Sequence, residues 1–337
     1  MHKTALENAY LCAPDVRIEA RPDRILAYAF CMRFVLGFDG GGTKTDCVLM
    51  DASGAVVARS QAGPSNPLRV GFGAAIGAVR DAARQAIAQT SIGAAAAPSA
   101  ICVGLAGVGP AESAEKIRAL LKAEFPESMI HICTDLDLTL AATGDGPAIV
   151  ILAGTGSFAI GRNAAGETSR AGGYGSQIGD EGSAYDIGRR AVLAAMHEND
   201  RTGADSMLGQ RLLRELGCRD WSEVKMRAQA ASDEVFPRLF SVVASLAETG
   251  DGTTQGILRA AALDLAMRAE CVAERLRLRA TTFSIFRTGG MMGRSAFLEA
   301  QLDERLRSWF PNARISQLHM TPAEAAARMA LDAIGNA

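Results

Sequence analysis

The alternation of apolar runs with short glycine turns along this chain predicts two β-hairpins built to one plan. The segment at 35–54 reads VLGFDGGGTKTDCVLMDASG, and the segment at 148–166 reads AIVILAGTGSFAIGRNAAG. In each, an apolar run leads through a Gly/Thr turn into a second apolar or alternating run that ends in a glycine-closed turn. The spacing from the turn threonine to the closing glycine is the same in both segments. The pattern therefore indicates an internal duplication.

Two facing hairpins of this kind form a clamp for a polyphosphate. Backbone N–H groups at a glycine turn can approach a ligand closely, and the hydroxyl of Thr43 or Thr155 adds a donor. The hairpins differ at the end of the first strand, where Asp39 corresponds to Ile151. One carboxylate beside two phosphate loops matches the needs of a single Mg²⁺, which prefers oxygen ligands. The alternative is a pair of ordinary hairpins, because a Gly-Thr-Gly-Ser turn alone is a weak motif.

The remaining pattern predicts an α/β protein made of two related lobes. In the first lobe it predicts strands at 34–38, 46–50, 55–61, 100–107 and 129–133, and helices at 74–89 and 111–124. After the hairpin at 148–162 it predicts a glycine-rich loop at 172–182, a mostly helical stretch at 183–279, strands at 283–290 and 313–318, and helices at 295–308 and from 322. This order implies a mixed sheet covered by helices in each lobe, with the ligand between the lobes.

Composition narrows the class of protein. At 337 residues the chain exceeds the size of one typical core, so two domains are expected. The net charge of −2 gives no reason to expect nucleic acid or an anionic membrane as a partner, and no apolar stretch approaches the length of a membrane span. The seven cysteines show no C-x-x-C spacing, which favours reduced thiols in a cytoplasmic protein. The four histidines form no evident metal-ligand pair.

The first 32 residues differ from the remainder of the chain. They combine charges of both signs with little periodicity, and their short apolar stretch is preceded by acidic residues, unlike a signal peptide. We expect residues 1–32 to be a disordered N-terminal extension, with Met32 as the natural start.

Six short motifs together give the chain a family resemblance. They are DGGGTKT at 39–45, Ser65-Asn66, TD at 134–135, AGTGS at 153–157, GGYGSQIGDEGSAYDIG at 172–188 and TGGMMGRS at 288–295. Their order resembles the BadF/BadG/BcrA/BcrD-type ATPases of the actin-like superfamily, and among these the N-acetylglucosamine kinases most. The resemblance implies two ribonuclease H-like (actin-like ATPase) domains with a cleft between them, which binds ATP and Mg²⁺.

The resemblance also implies a domain division and a reaction. It divides the chain into a first lobe at 33–145 and a larger second lobe at 146–321 with a helical insertion, while the helix at 322–337 is free to pack on the first lobe. The implied reaction is ATP-dependent phosphorylation of a hydroxyl, the 6-OH, of N-acetylglucosamine or glucosamine. Partners beyond ATP and the amino sugar are not implied, although a homodimer is compatible with the family.

The family match assigns nucleotide-side roles to nine positions. Asp39 resembles the magnesium-side aspartate of the family. Four residues match the first phosphate turn, namely Gly41, Gly42, Thr43 and Lys44, and two match the second, Thr155 and Gly156. The adenosine-side loop is matched by Gly289 and Gly290. Each position has a structural alternative. Asp39 could cap its own glycine turn, Lys44 could be a solvated surface lysine, and the glycine pairs could form plain turns.

On the acceptor side, the Thr-Asp pattern of the family selects Asp135 as the general base, with Asp137 as its local rival. Asp135 follows a strand directly, where ligand sites gather in open α/β sheets, but it could instead cap the next helix. The family match further implies that four positions bind the sugar: Asn66, Gly173, Tyr174 and Asp180. Asp180 could equally cap a helix that starts near Glu181.

Two other functions are compatible with the superfamily. The first is an ATPase that activates a partner enzyme through a shared iron–sulfur cluster, but no cysteine lies between Gly154 and Glu181. The second is a non-catalytic sugar sensor, which would need a DNA-binding extension that residues 1–31 do not offer. The sequence therefore favours the kinase.

Overall fold

The computed structural model describes residues 33–93, 96–108 and 111–335. The interpretation of residues 1–32 as a disordered extension lies outside these residues. Across the described part of the chain, none of the helices combines the length and the hydrophobicity that crossing a membrane requires.

The first lobe is built on a five-stranded mixed sheet. Its strands are β1 (Phe34–Gly40), β2 (Thr45–Asp51), β3 (Val56–Ala62), β4 (Ala100–Leu105) and β5 (Met129–Cys133). Their order across the sheet is β3-β2-β1-β4-β5. The first three strands form an antiparallel meander, and β4 and β5 continue the sheet in parallel with β1. The carboxyl ends of β1, β4 and β5 therefore lie at one edge.

The second lobe repeats this topology. Its strands are β6 (Ala148–Ala153), β7 (Ser157–Arg162), β8 (Thr168–Gly172), β9 (Phe283–Thr288) and β10 (Ala313–Gln317). Their order is β8-β7-β6-β9-β10, with the same parallel and antiparallel pairings as in the first sheet. The two-lobe α/β fold is thus confirmed. The sequence pattern did not predict β8, because its five residues, TSRAG, include only one apolar side chain, that of Ala171.

The helices cover both sheets. In the first lobe they are α1 (Pro67–Val70), α2 (Phe72–Ala88), α3 (Ala111–Glu124) and α4 (Asp135–Ala141). The predicted helical stretch of the second lobe consists of α5 (Ala184–Thr202), α6 (Met207–Leu216), α7 (Trp221–Arg238), α8 (Phe240–Glu248) and α9 (Gly252–Arg275). Two helices follow, α10 (Ala296–Trp309) and α11 (Pro322–Gly335). The helices α5 to α10 form the main core of the second lobe with one face of its sheet.

The last helix of the chain packs on the first sheet. Alanines of α11, including Ala326 and Ala327, are buried against Val35 of β1. Gly37 permits the close approach, because a Cβ added there would lie 2.0 Å from the Ala327 backbone nitrogen. The C-terminal helix thus stabilises β1, the strand that contains Asp39.

Helix α4 contacts both sheets. Leu138 is buried with the first-sheet side chains and α11, whereas Leu140 is buried against Val150 and Ile160 of the second sheet. The start of α4, at Asp135, consequently lies where the two lobes meet.

Candidate active site

The first glycine turn, between β1 and β2, is held by backbone hydrogen bonds. The Gly41 carbonyl accepts from the N–H groups of both Ser65 and Asn66, each at 3.0 Å, and the Gly41 N–H donates to the Lys44 carbonyl at 2.9 Å. The N–H groups of Gly42 and Thr43 have no hydrogen-bond partner among the described residues. This turn therefore presents two free donors and is fixed to the segment that contains Asn66.

Two cations lie beside this turn, and they are engaged differently. Lys44 forms an ion pair with Asp46 at 2.8 Å. Arg69, on α1, instead lies against the turn itself, since a Cβ added to Gly42 would be 2.6 Å from its Nη1. Arg69 forms no ion pair with a carboxylate in the described ranges. Sequence reasoning missed Arg69, because only the folding of α1 back onto the turn brings it there.

Three carboxylates are close together at the same edge of the sheet. Asp39 is the next-to-last residue of β1 and is paired in register with Asp46 of β2. Burial raises the pKa of Asp39 to about 6, with further increases from the charges of Asp46 and Asp135 and an opposing effect from Lys44. One lysine does not neutralise three carboxylates, so the site attracts a cation. Carboxylate oxygens are the hard ligands that Mg²⁺ prefers, and the residues present fit that ion.

The start of α4 distinguishes Asp135 from Asp137. Thr134 is the N-cap of the helix, and its N–H and hydroxyl donate to the Asp137 carboxylate at 2.9 and 2.8 Å. The Asp137 N–H donates back to the Thr134 hydroxyl at 3.1 Å, which completes a capping box. The Asp135 carboxylate has no hydrogen-bond partner among the described residues. The alternative that Asp135 caps this helix is therefore wrong, and Asp137 is occupied by the cap.

The second glycine turn, between β6 and β7, has the same character. The N–H groups of Thr155 and Gly156 have no hydrogen-bond partner in the described part of the chain. The Gly154 carbonyl accepts from the Ala184 N–H at 2.8 Å, which attaches the start of α5 to the turn. The two turns thus match in free donors as well as in sequence spacing.

The Gly289-Gly290 loop packs directly on this second turn. Gly289 has a φ of 104°, and a Cβ added to it would lie 2.3 Å from the Ala153 carbonyl oxygen. The Gly290 nitrogen is close to Gly154, where an added Cβ would be 3.6 Å away. Glycine is required at 289 both for its backbone conformation and for lack of space.

Asp180 has several features of a ligand-binding residue. It adopts a left-handed backbone with a φ of 60°, it is only 7% exposed, and its Oδ1 lacks a hydrogen-bond partner among the described residues. Burial raises the pKa of its carboxyl, although the Ser157 N–H, Arg268 and the Gly175 N–H partly offset that effect. Ser183 is the N-cap of α5, so the helix-capping alternative for Asp180 is wrong.

The neighbours of Asp180 explain how the loop keeps its shape. A Cβ added to Gly156 would lie 2.8 Å from Asp180 Oδ2, so the second turn and this carboxylate are in contact. Glu181 forms an ion pair with Arg268 of α9, and its carbonyl accepts from the Ser157 hydroxyl at 2.8 Å. Glu181 is thus engaged structurally, and Asp180 remains available.

The other predicted sugar-side residues form two groups. Asn66 caps α1 by accepting from the Leu68 N–H at 3.0 Å, and the structure records no described partner for its side-chain amide nitrogen. Gly173 and Tyr174 precede Asp180 in the second lobe, where the Tyr174 side chain is 69% exposed. The structure therefore brings Asn66 to the first turn and Asp180 to the second, while Tyr174 lies against Gly179 in the loop that leads to Asp180.

Comparisons with known proteins show which family the chain belongs to. Residues 36–327 match the BadF/BadG/BcrA/BcrD ATPase family. The chain is 28% identical over 291 residues to an N-acetylmuramic acid/N-acetylglucosamine kinase of Clostridium acetobutylicum, covering 84% of this chain and 94% of that protein. It is 29% identical over 320 residues to an N-acetyl-D-glucosamine kinase of Dictyostelium discoideum, covering 88% and 97%.

Similarity to a crystal structure extends this result to the fold. A protein of Chromobacterium violaceum, named provisionally as an N-acetylglucosamine kinase, superposes with a TM-score of 0.71 at 27% identity. The match covers 89% of this chain and 99% of that chain. With a family model that spans most of its length, the chain belongs to the BadF/BadG/BcrA/BcrD ATPase family, as its six motifs predict.

Proposed function

We propose that this protein is an ATP-dependent amino-sugar kinase that phosphorylates the 6-OH of N-acetylglucosamine or glucosamine. The observation on which the proposal depends is the unpaired Asp135 carboxylate, which lies at the meeting of the lobes and close enough to Asp39 to raise its pKa. Two relatives whose names specify N-acetylglucosamine as a substrate support the choice of acceptor.

The two glycine turns bind the phosphates of ATP. The free N–H groups of Gly42, Thr43, Thr155 and Gly156 supply donors from both lobes. Asp39, with Asp46 beside it, would hold Mg²⁺, which when bound neutralises charge on the phosphates. The Gly289-Gly290 loop lies along the adenosine.

Asp135 accepts the proton of the attacking hydroxyl. Phosphoryl transfer requires mainly positioning and charge neutralisation from the protein, together with a group that takes this proton. The carboxylate is free for the task because Thr134 and Asp137 cap the helix between them.

Donor and acceptor groups for the sugar come from both lobes. The Asn66 amide nitrogen is free to donate, and Asp180 Oδ1 is a buried acceptor without a hydrogen-bond partner among the described residues. The exposed Tyr174 ring, next to Gly173, offers an apolar face to the N-substituent of the sugar. Closure of the lobes on a sugar would complete this set and exclude water.

The experiment that tests the proposed function is a coupled assay of ADP release with a panel of acceptors. The panel contains N-acetylglucosamine, glucosamine, N-acetylmuramic acid, glucose and a control without sugar. We expect ADP release to depend on an amino sugar, because closure on the acceptor excludes water from the phosphates. Equal rates with and without every sugar would contradict the kinase and favour an ATPase that acts on a partner.

Asp135→Asn should lower kcat by ~10²–10⁴-fold, which is the usual contribution of a general base. ATP binding and thermal stability should stay unchanged, because the carboxylate has no described structural partner. Asp137→Asn is the matched control. It should weaken the capping box and lower the free energy of unfolding by ~1 kcal/mol while kcat stays near that of the natural protein. A large loss of kcat in Asp137→Asn, with a near-natural kcat and a lower melting temperature in Asp135→Asn, would identify Asp137 as the base.

Arg69→Gln should weaken ATP binding by about tenfold or more and affect ADP less, because we infer that the guanidinium meets the terminal phosphate beside Gly42. Lys44→Gln is the comparison, and it should have a smaller effect because Lys44 is paired with Asp46. Isothermal titration calorimetry of each variant with ATP and with ADP measures these affinities. A larger loss in Lys44→Gln would show that Lys44 leaves Asp46 to bind the nucleotide.

Asp180→Asn should stabilise the protein without ligands at neutral pH while raising the KM for the sugar by about tenfold or more. Because the folded-state pKa of Asp180 lies above its ordinary value, ionisation destabilises the fold as the pH rises through that pKa. Asparagine also tolerates the left-handed backbone. The gain in melting temperature should shrink in acid, where the natural carboxyl is protonated.

Asp186→Asn is the control for this prediction. Asp186 is also buried, but it accepts from the Gly182 N–H and pairs with Arg190, each at 2.8 Å. Loss of its charge should lower the melting temperature. A decrease of similar size in Asp180→Asn would show that the Asp180 carboxylate serves the fold, as the Asp186 carboxylate does.

A further inference from the structure

Three soft ligand groups meet on neighbouring strands of the first sheet. Cys102 of β4 is paired in register with His131 of β5, and Cys133 is two residues further along β5 on the same face. One ligand atom from each side chain lies within 4.8 Å of the other two. The thiol of Cys102 is buried, Cys133 is half-buried and His131 is exposed, so the group is open to solvent on one side.

The spacing of the two sulfur atoms fits a shared tetrahedral cation. Cys102 Sγ and Cys133 Sγ are 3.8 Å apart. Zinc–sulfur bonds of about 2.3 Å at a tetrahedral angle place two sulfur ligands about 3.8 Å apart. An imidazole nitrogen provides the third ligand, and the exposed side leaves a fourth position for water. The donor set selects a borderline or soft cation, since thiolate and imidazole are poor ligands for Mg²⁺.

Binding of a divalent cation at this cluster would release protons from the two thiols, because the thiolate is the form that binds a metal ion.

We propose that Cys102, His131 and Cys133 form a binding site for a divalent cation of the zinc class, distinct from the Asp39 and Asp46 carboxylates. The site lies on β5, the edge strand that leads directly into Thr134 and Asp135. A bound ion links β5 to β4 and thereby stabilises the strand that positions the start of α4. The proposal concerns binding and does not depend on the kinase reaction.

Cobalt is the probe for the test, because Co²⁺ bound by thiolates in a tetrahedral site gives charge-transfer and visible absorption bands. The full chain, reduced and free of Mg²⁺, is titrated with Co²⁺ and then with Zn²⁺. We expect one Co²⁺ per chain with thiolate bands that one equivalent of Zn²⁺ removes. Cys102→Ser, His131→Gln and Cys133→Ser should each weaken binding by at least about tenfold. Absence of the bands in the natural chain overturns the proposal.

Two control variants test whether thiols outside the cluster contribute to the cobalt bands. Cys271→Ser changes an exposed cysteine away from the cluster, and a combined Cys12→Ser and Cys31→Ser variant covers cysteines outside the described residues. Both should keep the bands, and loss of the bands in either overturns the assignment. Thermal melts provide a readout that does not depend on colour. Zn²⁺ should raise the melting temperature of the natural chain but not of Cys133→Ser, and an equal rise in both contradicts the site.

Discussion

The crowding of carboxylates at one edge of the first sheet is the constraint on which the site depends. Asp39, Asp46 and Asp135 are close enough for the other two charges to raise the pKa of Asp39 beyond the effect of burial, to about 6. Lys44 offsets part of this repulsion through its ion pair with Asp46. The remaining repulsion among the carboxylates favours the binding of a cation at this site. The charge of Asp39 also contributes to the raised pKa of the Cys133 thiol, so the negative potential extends to that side chain.

The duplication explains why the cleft has two similar halves with different tasks. Both lobes have one sheet topology and present a glycine turn with two free N–H groups. The difference is in what each turn contacts. The first turn is bonded to the Asn66 segment and follows Asp39, whereas the second contacts Asp180 and the Gly289-Gly290 loop. The counterpart of Asp39 in the second lobe is Ile151, so only the first lobe has a carboxylate at this position.

Much of the fold and part of the site could be predicted from the sequence. Apolar runs and glycine turns predicted nine of the ten strands in the described residues, whereas β8 has a single apolar side chain, Ala171, and gives no such pattern. Thr134 and Asp137 form a T-x-x-D capping-box pattern that local sequence does show and that was overlooked, whereas nothing in the sequence indicates that Arg69 lies on the first turn. The cysteine cluster was also missed, since Cys102 and Cys133 meet only through the register of two strands.

Identification of the product tests the central claim most directly. The protein is incubated with ATP, Mg²⁺ and N-acetylglucosamine, and the products are examined by phosphorus NMR with correlation to sugar protons. If the 6-OH is the acceptor, as proposed, we expect a phosphate monoester whose phosphorus couples to the two protons on C6. Formation of inorganic phosphate alone, with the sugar unchanged, would contradict phosphoryl transfer between the two glycine turns.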